Sequence, residues 1–292
     1  MATIGQWVEG ARLRTLPISA SAVIAGVSSA VAIGHFSLLP AVLALVVALA
    51  LVIGVNFSND YSDGIRGSDG PGRVGPLRLV GSGAARPGQV RAAAFGFFGL
   101  AGLAGLALVV LTGHWWLLAV GVACVLAAWF YTGGSHPYGY AGLGEIFVFV
   151  FFGLVAVAGT TYVVAGRVDA ATWVTSVVFG LLACAVLVAN NLRDIEGDRA
   201  SGKRTLATRL GDAGTRALYL VLAALAVIGV VMVAAMTSWW ALLGLVMVVF
   251  LAGPVRSMVT GATGMVLVTT LKSTGLAELA GSVGLLVGAI LG

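Results

Sequence analysis

Residues 56–87 read NFSNDYSDGIRGSDGPGRVGPLRLVGSGAARP, the most polar stretch of an otherwise apolar chain. The stretch follows directly on LLPAVLALVVALALVIGV (38–55) and sets Asp60, Asp63 and Asp69 among Arg66, Arg73, Arg78 and Arg86. A second stretch, NNLRDIEGDRASGKRTLATRLG (190–211), repeats the chemistry behind another apolar run. If the first apolar helix continues through Asp63, then Asn56, Asp60 and Asp63 stand at i, i+4 and i+7 on one face. Asn190, Asp194 and Asp198 stand at i, i+4 and i+8, again as one stripe. The pairs Asn56/Asp60 and Asn190/Asp194 share a spacing, a weak internal duplication. The two stripes are expected to form the two lips of one metal- and diphosphate-binding site at a membrane surface.

Composition sets the solvent. Hydrophobic residues make up 60% of the 292, charged residues 9%, and the mean hydropathy is +1.06. A soluble domain carries about 25% charged residues, so the fold expected is all-α and polytopic, because only helices or closed barrels satisfy their backbone in lipid. Spanning the hydrocarbon takes about 20 residues, which gives about nine spans: 17–34, 38–58, 92–112, 115–131, 145–165, 171–190, 215–236, 238–253 and 273–291. Residues 254–272 read equally as a loop or as part of a helix. The expectation is one transmembrane domain over 1–292, a helix bundle around a central lipid-accessible cavity with cytoplasmic caps.

The net charge of +5 invites a nucleic-acid reading until the basic residues are located. In the nine-span topology 15 of the 16 lysines and arginines fall on one side, with Arg167 alone opposite. The positive-inside rule then puts the N-terminus and both acidic loops in the cytoplasm. Trp115-Trp116 and Trp239-Trp240 fall at the other interface, where indoles prefer to sit. No nucleic-acid partner is implied. Cys124 and Cys184 lie in apolar runs and read as packing residues.

Carboxylates are hard oxygen ligands suited to Mg²⁺, with Mn²⁺ as the alternative, and no Cys/His set has zinc spacing. Mg²⁺ binds through one or two carboxylates plus substrate phosphates, so the third party is a phosphorylated substrate. Arg66, Arg73, Arg78, Lys203, Arg204 and Arg209 are placed to neutralise its charge. A P-loop is absent, as is a Ser/His/Asp set. Residues 131–145, YTGGSHPYGYAGLGE, form a third polar patch, in which Tyr131, Tyr138 and Tyr140 build an aromatic wall or an interface belt. Glu278 lies inside the last span, where an acid is a functional signal.

These motifs resemble those of the UbiA-type intramembrane prenyltransferases, and the resemblance runs from Arg14-Thr15-Leu16-Pro17 through most of the chain. Gly75-Pro76-Leu77-Arg78 and the YTGG…PYGY…LGE link look like the branch that prenylates 1,4-dihydroxy-2-naphthoate in menaquinone synthesis. The hydroxybenzoate branch carries a further aspartate where this chain has Gly67, and here the acid comes at Asp69. The resemblance implies Mg²⁺ held by Asp60, Asp63, Asp194 and Asp198, a polyprenyl diphosphate donor, and attack by the naphthoate ring with loss of carbon dioxide. It implies that Asn56 and Asn190 orient ligands, that Arg66 and Lys203 contact diphosphate, and that Tyr131 faces the cation or acceptor. Asn59, Asn191, Arg78, Arg209 and Tyr138 complete the expected substrate-binding set. The expected location is a bacterial cell membrane. The competing functions are a related prenyltransferase with another acceptor, such as 4-hydroxybenzoate, and a cation transporter.

Overall fold

The computed structural model describes residues 2–67 and 77–292; Asp69 and Arg73 lie outside the described residues. The described residues contain helices and no strand. In chain order the helices are α1 (Ile4–Ala11), α2 (Leu16–Ala32), α3 (Leu38–Ile65), α4 (Pro87–Thr112) and α5 (Leu117–Phe130). They continue as α6 (Gly144–Ala165), α7 (Ala170–Ala200), α8 (Leu206–Met236), α9 (Trp239–Val259) and α10 (Met265–Leu291). Among the described residues eight segments are long and apolar enough to cross a membrane, and the ninth expected span, 115–131, is the shorter apolar helix α5, of 14 residues. Its apolar run is interrupted at Trp115-Trp116 and ends at the Tyr131 turn, so the helix has no residues left to lengthen.

Local signals set the boundaries. Thr3 and Gln6 cap α1 reciprocally, Asp169 accepts from Thr172 N at the start of α7 (2.8 Å), and Thr205 caps α8. Each supplies an acceptor to a helix N-terminus whose amides have no partner inside the helix. Gly113 and Gly166 close α4 and α6 at φ +72°, a left-handed conformation that favours glycine. Several helices run past their apolar segments. α3 reaches Ile65 and α7 reaches Ala200, which carries the aspartates on helix rather than on loop. Residues 254–272 resolve into the end of α9, a turn, and the start of α10. Pro254 stays inside α9, and Arg216 pins the turn by donating to Ala262 O (2.8 Å).

α7 is the buried axis of the bundle. Its Val178, Phe179 and Leu182 pack with Ala22 and Ala25 of α2, Ala226 of α8 and Ala277 of α10. Small residues let backbones approach: a Cβ on Gly153 of α6 would lie 2.6 Å from Gly180 Cα of α7. Residues 149–158 of α6 take the wider i→i+5 winding of a π-helix. Glu278 is fully buried beside Ser21 of α2, and neither of its oxygens makes a hydrogen bond of ordinary geometry among the described residues.

Candidate active site

The site forms at one end of the bundle, where α3 and α7 extend beyond their apolar runs. On α3, Asn59 and Asp63 line a cavity of about 1420 Å³. Asp63 is 3% exposed. It accepts from Arg78 Nη2 (3.1 Å) and from the Tyr140 hydroxyl, and Lys203 Nζ lies 3.5 Å away. Asn59 Oδ1 accepts from Thr132 Oγ1 (2.8 Å). Asn56 sits at the cavity edge and donates from Nδ2 to Ala11 O and Thr15 Oγ1, both at 3.0 Å. Asp60 does not line the cavity; its two oxygens accept from Leu79 N (2.8 Å) and Val80 N (2.9 Å). The stripe of three therefore splits, and the pair in register with Asn190/Asp194 is Asn59/Asp63.

On α7, Asn190, Asp194 and Asp198 all line the cavity. Arg193, which the sequence reading passed over, grips Asp194 through Nε (2.7 Å) and Nη2 (2.6 Å) and also donates to Asn190 Oδ1 (2.9 Å). Its signal was adjacency to an acid in a polar motif. Asn191 lines the cavity too and donates to Glu145 Oε1 (3.0 Å). Gly202, at φ +73°, reverses the chain after α7. That reversal brings Lys203 Nζ back between the lips, 3.5 Å from Asp63 and 3.9 Å from Asp198. An ammonium thus sits where opposite carboxylates converge.

The third polar patch caps this mouth. Tyr138 stacks on Phe147 (centroids 3.8 Å apart), meets Tyr131 edge-on (5.5 Å) and donates its hydroxyl to Ala127 O (2.7 Å). Burial pushes the phenols of Tyr131 and Tyr138 above the usual tyrosine range, because removal from water disfavours the phenolate. Arginines hold the patch from both lips. Arg66 donates to Thr132 O and Gly134 O, and Arg209 to Ala141 O (2.8 Å). Neither arginine lines the cavity, whereas Arg12, Arg14, Arg78, Lys203 and Lys272 do. Lys203 Nζ also lies 4.5 Å over the Tyr140 ring, within cation–π range.

Below the charged mouth the wall becomes apolar, with Leu51, Val52, Val109 and Val125, and on α6 Phe147, Phe151 and Val155. Among the described residues no three carboxylates or imidazoles gather around one point. The donor set nevertheless fits Mg²⁺ shared with a diphosphate, which needs only one or two carboxylates per ion. Asp63 and Asp198 already share one cationic group. The arrangement suits a polyanionic head with a metal ion at the mouth and a long apolar group below it.

The chain is 52% identical over 283 residues to 1,4-dihydroxy-2-naphthoate octaprenyltransferase of Mycobacterium tuberculosis, covering 96% of this chain and 94% of that protein. It is 41% identical to the Escherichia coli protein of the same description, covering 72% and 70%. Its fold resembles an apo UbiA homolog from Aeropyrum pernix, with a TM-score of 0.70 at 16% identity over 94% of this chain and 97% of that one. It also resembles an Archaeoglobus fulgidus homolog bound to GPP and Mg²⁺, at 0.66 and 15% identity over 97% and 99%. The family signature of the UbiA prenyltransferases matches residues 19–288. The chain belongs to the UbiA prenyltransferase family.

Proposed function

We propose that the chain, working as a single membrane domain, transfers a polyprenyl group from polyprenyl diphosphate to 1,4-dihydroxy-2-naphthoate. The allylic C–O bond breaks with its electron pair going to diphosphate. A ring carbon of the naphthoate forms the new C–C bond, and the ring carboxylate leaves as carbon dioxide, giving a demethylmenaquinone precursor. The observation that carries this reading is the pairing of two carboxylate lips with a long apolar chamber directly beneath them. The naphthoate acceptor is supported by relatives that are 52% and 41% identical.

Asp63, Asp194 and Asp198 would hold Mg²⁺ (Mn²⁺ as substitute), with Asn59 and Asn190 orienting them. When bound, the ion supplies positive charge to the departing diphosphate oxygens. Arg78 and Lys203 add fixed positive charge at the same wall, preorganised by their bonds to Asp63. The stacked Tyr138 and Phe147 and the edge-on Tyr131 present π-faces to positive charge developing at the allylic carbon. The apolar wall keeps water from that carbon. Arg66 and Arg209 act through the cap they hold. The mouth faces the cytoplasm of a bacterial cell, in keeping with the basic residues gathered at this end.

The test is direct. Full-length protein in detergent is mixed with Mg²⁺, a polyprenyl diphosphate and dihydroxynaphthoate, and prenylated, decarboxylated product is expected, lost with EDTA and restored by Mg²⁺. Prenylation of 4-hydroxybenzoate but not of naphthoate would move the chain to another acceptor. No product with either acceptor from a folded sample would return the acidic mouth to the cation-transport reading.

A further inference from the structure

Asp60 is the one aspartate of the described lips that turns away from the cavity, and it is 1% exposed. Both of its oxygens are engaged by consecutive backbone amides, Leu79 N and Val80 N. Amide bonds to a carboxylate are charge-assisted and stronger than neutral ones, and the Arg12 charge also acts on this carboxylate. The segment so held is seated closely. A Cβ on Gly64, one turn along α3, would lie 2.4 Å from Val80 Cγ1, and fully buried Leu79 packs on Gly10 of α1. Leu77 N donates to Glu9 Oε1 (2.9 Å), so amides 77, 79 and 80 all end on carboxylates. Between them stands Arg78, on the cavity wall with its guanidinium 3.1 Å from Asp63.

We infer that Asp60 is a positioning residue and not a metal ligand: it latches residues 79–80 to α3 and thereby sets Arg78 against Asp63 at the diphosphate mouth. The inference rests on the donor-binding reading of that mouth. Substituting Asn leaves one acceptor oxygen and points an NH₂ group at a backbone N–H, so one bond is lost and two donors face each other. The latch loosens, Arg78 leaves its place, and donor binding weakens while the metal-binding carboxylates are untouched.

Hydrogen exchange of the metal-free, full-length protein in detergent reads the latch without turnover. Asp60→Asn is expected to speed exchange of the Leu79 and Val80 amides about tenfold, on the scale of one lost charge-assisted hydrogen bond, whereas Asp63→Asn leaves them protected. In the assay, Asp60→Asn and Arg78→Gln are both expected to raise the KM for prenyl diphosphate several-fold at an unchanged Mg²⁺ requirement. Asp63→Asn is expected to raise the Mg²⁺ requirement. Unchanged exchange at residues 79–80 in Asp60→Asn, or a Mg²⁺ requirement raised as far as in Asp63→Asn, overturns the inference. Should Asp60→Asn fail to fold, Val80→Pro removes one latch amide and leaves every carboxylate in place. A raised donor KM at unchanged Mg²⁺ requirement then supports the latch, and an unchanged KM overturns it. If the unmodified chain makes no product, the donor reading fails, while the exchange arm still decides what Asp60 holds.

Discussion

The two lips carry matching letters and use them differently. Asn59, Asp63 and Gly67 on the first lip answer to Asn190, Asp194 and Asp198 on the second, and all six positions border the cavity. One residue further on, Asp60 answers to Asn191, and each holds a covering segment, Asp60 from behind the cavity and Asn191 from its wall. Asp60 accepts from two backbone amides, and Asn191 donates to the Glu145 carboxylate. The polarity of the latch is reversed between the halves. Behind α3 lies the segment 77–80, which offers N–H groups. Beside Asn191 lies the start of α6, which offers an acid. The back of α7 is apolar, with Leu192 and Ile195 packed on Ala207 and Tyr219 of α8. A motif residue is thus assigned by what packs behind it as much as by its spacing.

Removing one carboxylate from each lip tests the comparison most strongly. Asp63→Asn and Asp194→Asn are each expected to lower kcat by about 100-fold or more, the scale of losing a transition-state electrostatic group. Steady-state assays at saturating Mg²⁺ would show it, and near-normal turnover in either folded variant would dismantle the two-lip site. Next comes the cation both lips share. Lys203→Met should cost about tenfold or more in kcat/KM, and Lys203→Arg should recover only part of it, because a planar fork does not reproduce a compact ammonium.

A smaller contrast separates the two asparagines of α3. Asn56→Ala leaves the buried Ala11 carbonyl without its donor and should lower stability by about 1–3 kcal/mol, seen as a reduced Tm. Asn59→Ala should act on turnover first. The smallest effect concerns the tyrosines. Their phenols are raised above the ordinary value of about 10, so they stay protonated below it and ionise only at higher pH. Tyr131→Phe should therefore change the rate several-fold without moving the alkaline limb of the pH–rate profile below pH ~10.

The helices were legible because long apolar runs in lipid have few alternatives to helix, and the aspartates stood out because a membrane surface does not by itself call for acids. The split of the first stripe was not legible, for a geometric reason. At about 100° per residue, Asp60, Asn56, Asp63 and Asn59 follow one another around α3 within about 100°. The boundary between wall and back runs through that narrow arc, with Asn56 astride it. Only the seating of Leu79 and Val80 shows where the boundary falls. Arg66 and Arg209 escaped for a related reason. Loop arginines beside acids read as phosphate ligands, and nothing in their spacing announces that the carbonyls of residues 132, 134 and 141 come within their reach. The short α5 was hidden by counting apolar residues through Trp115 and Tyr131.

The wide winding of α6 bears on how this helix tolerates changes in length. Phe147, Phe151, Val155, Gly159 and Val163 recur every four residues and all border the cavity. In a regular helix each such step drifts by about 40°, so the first and last of the five would point in nearly opposite directions. The i→i+5 turns across 149–158 absorb that drift and keep the row in line. Deleting one residue from that segment would let it tighten to ordinary winding and swing the lower half of the row out of the chamber. A helix that looks like any other apolar span is, in effect, phased: its residue count, more than the identity of any one side chain, keeps the chamber wall straight.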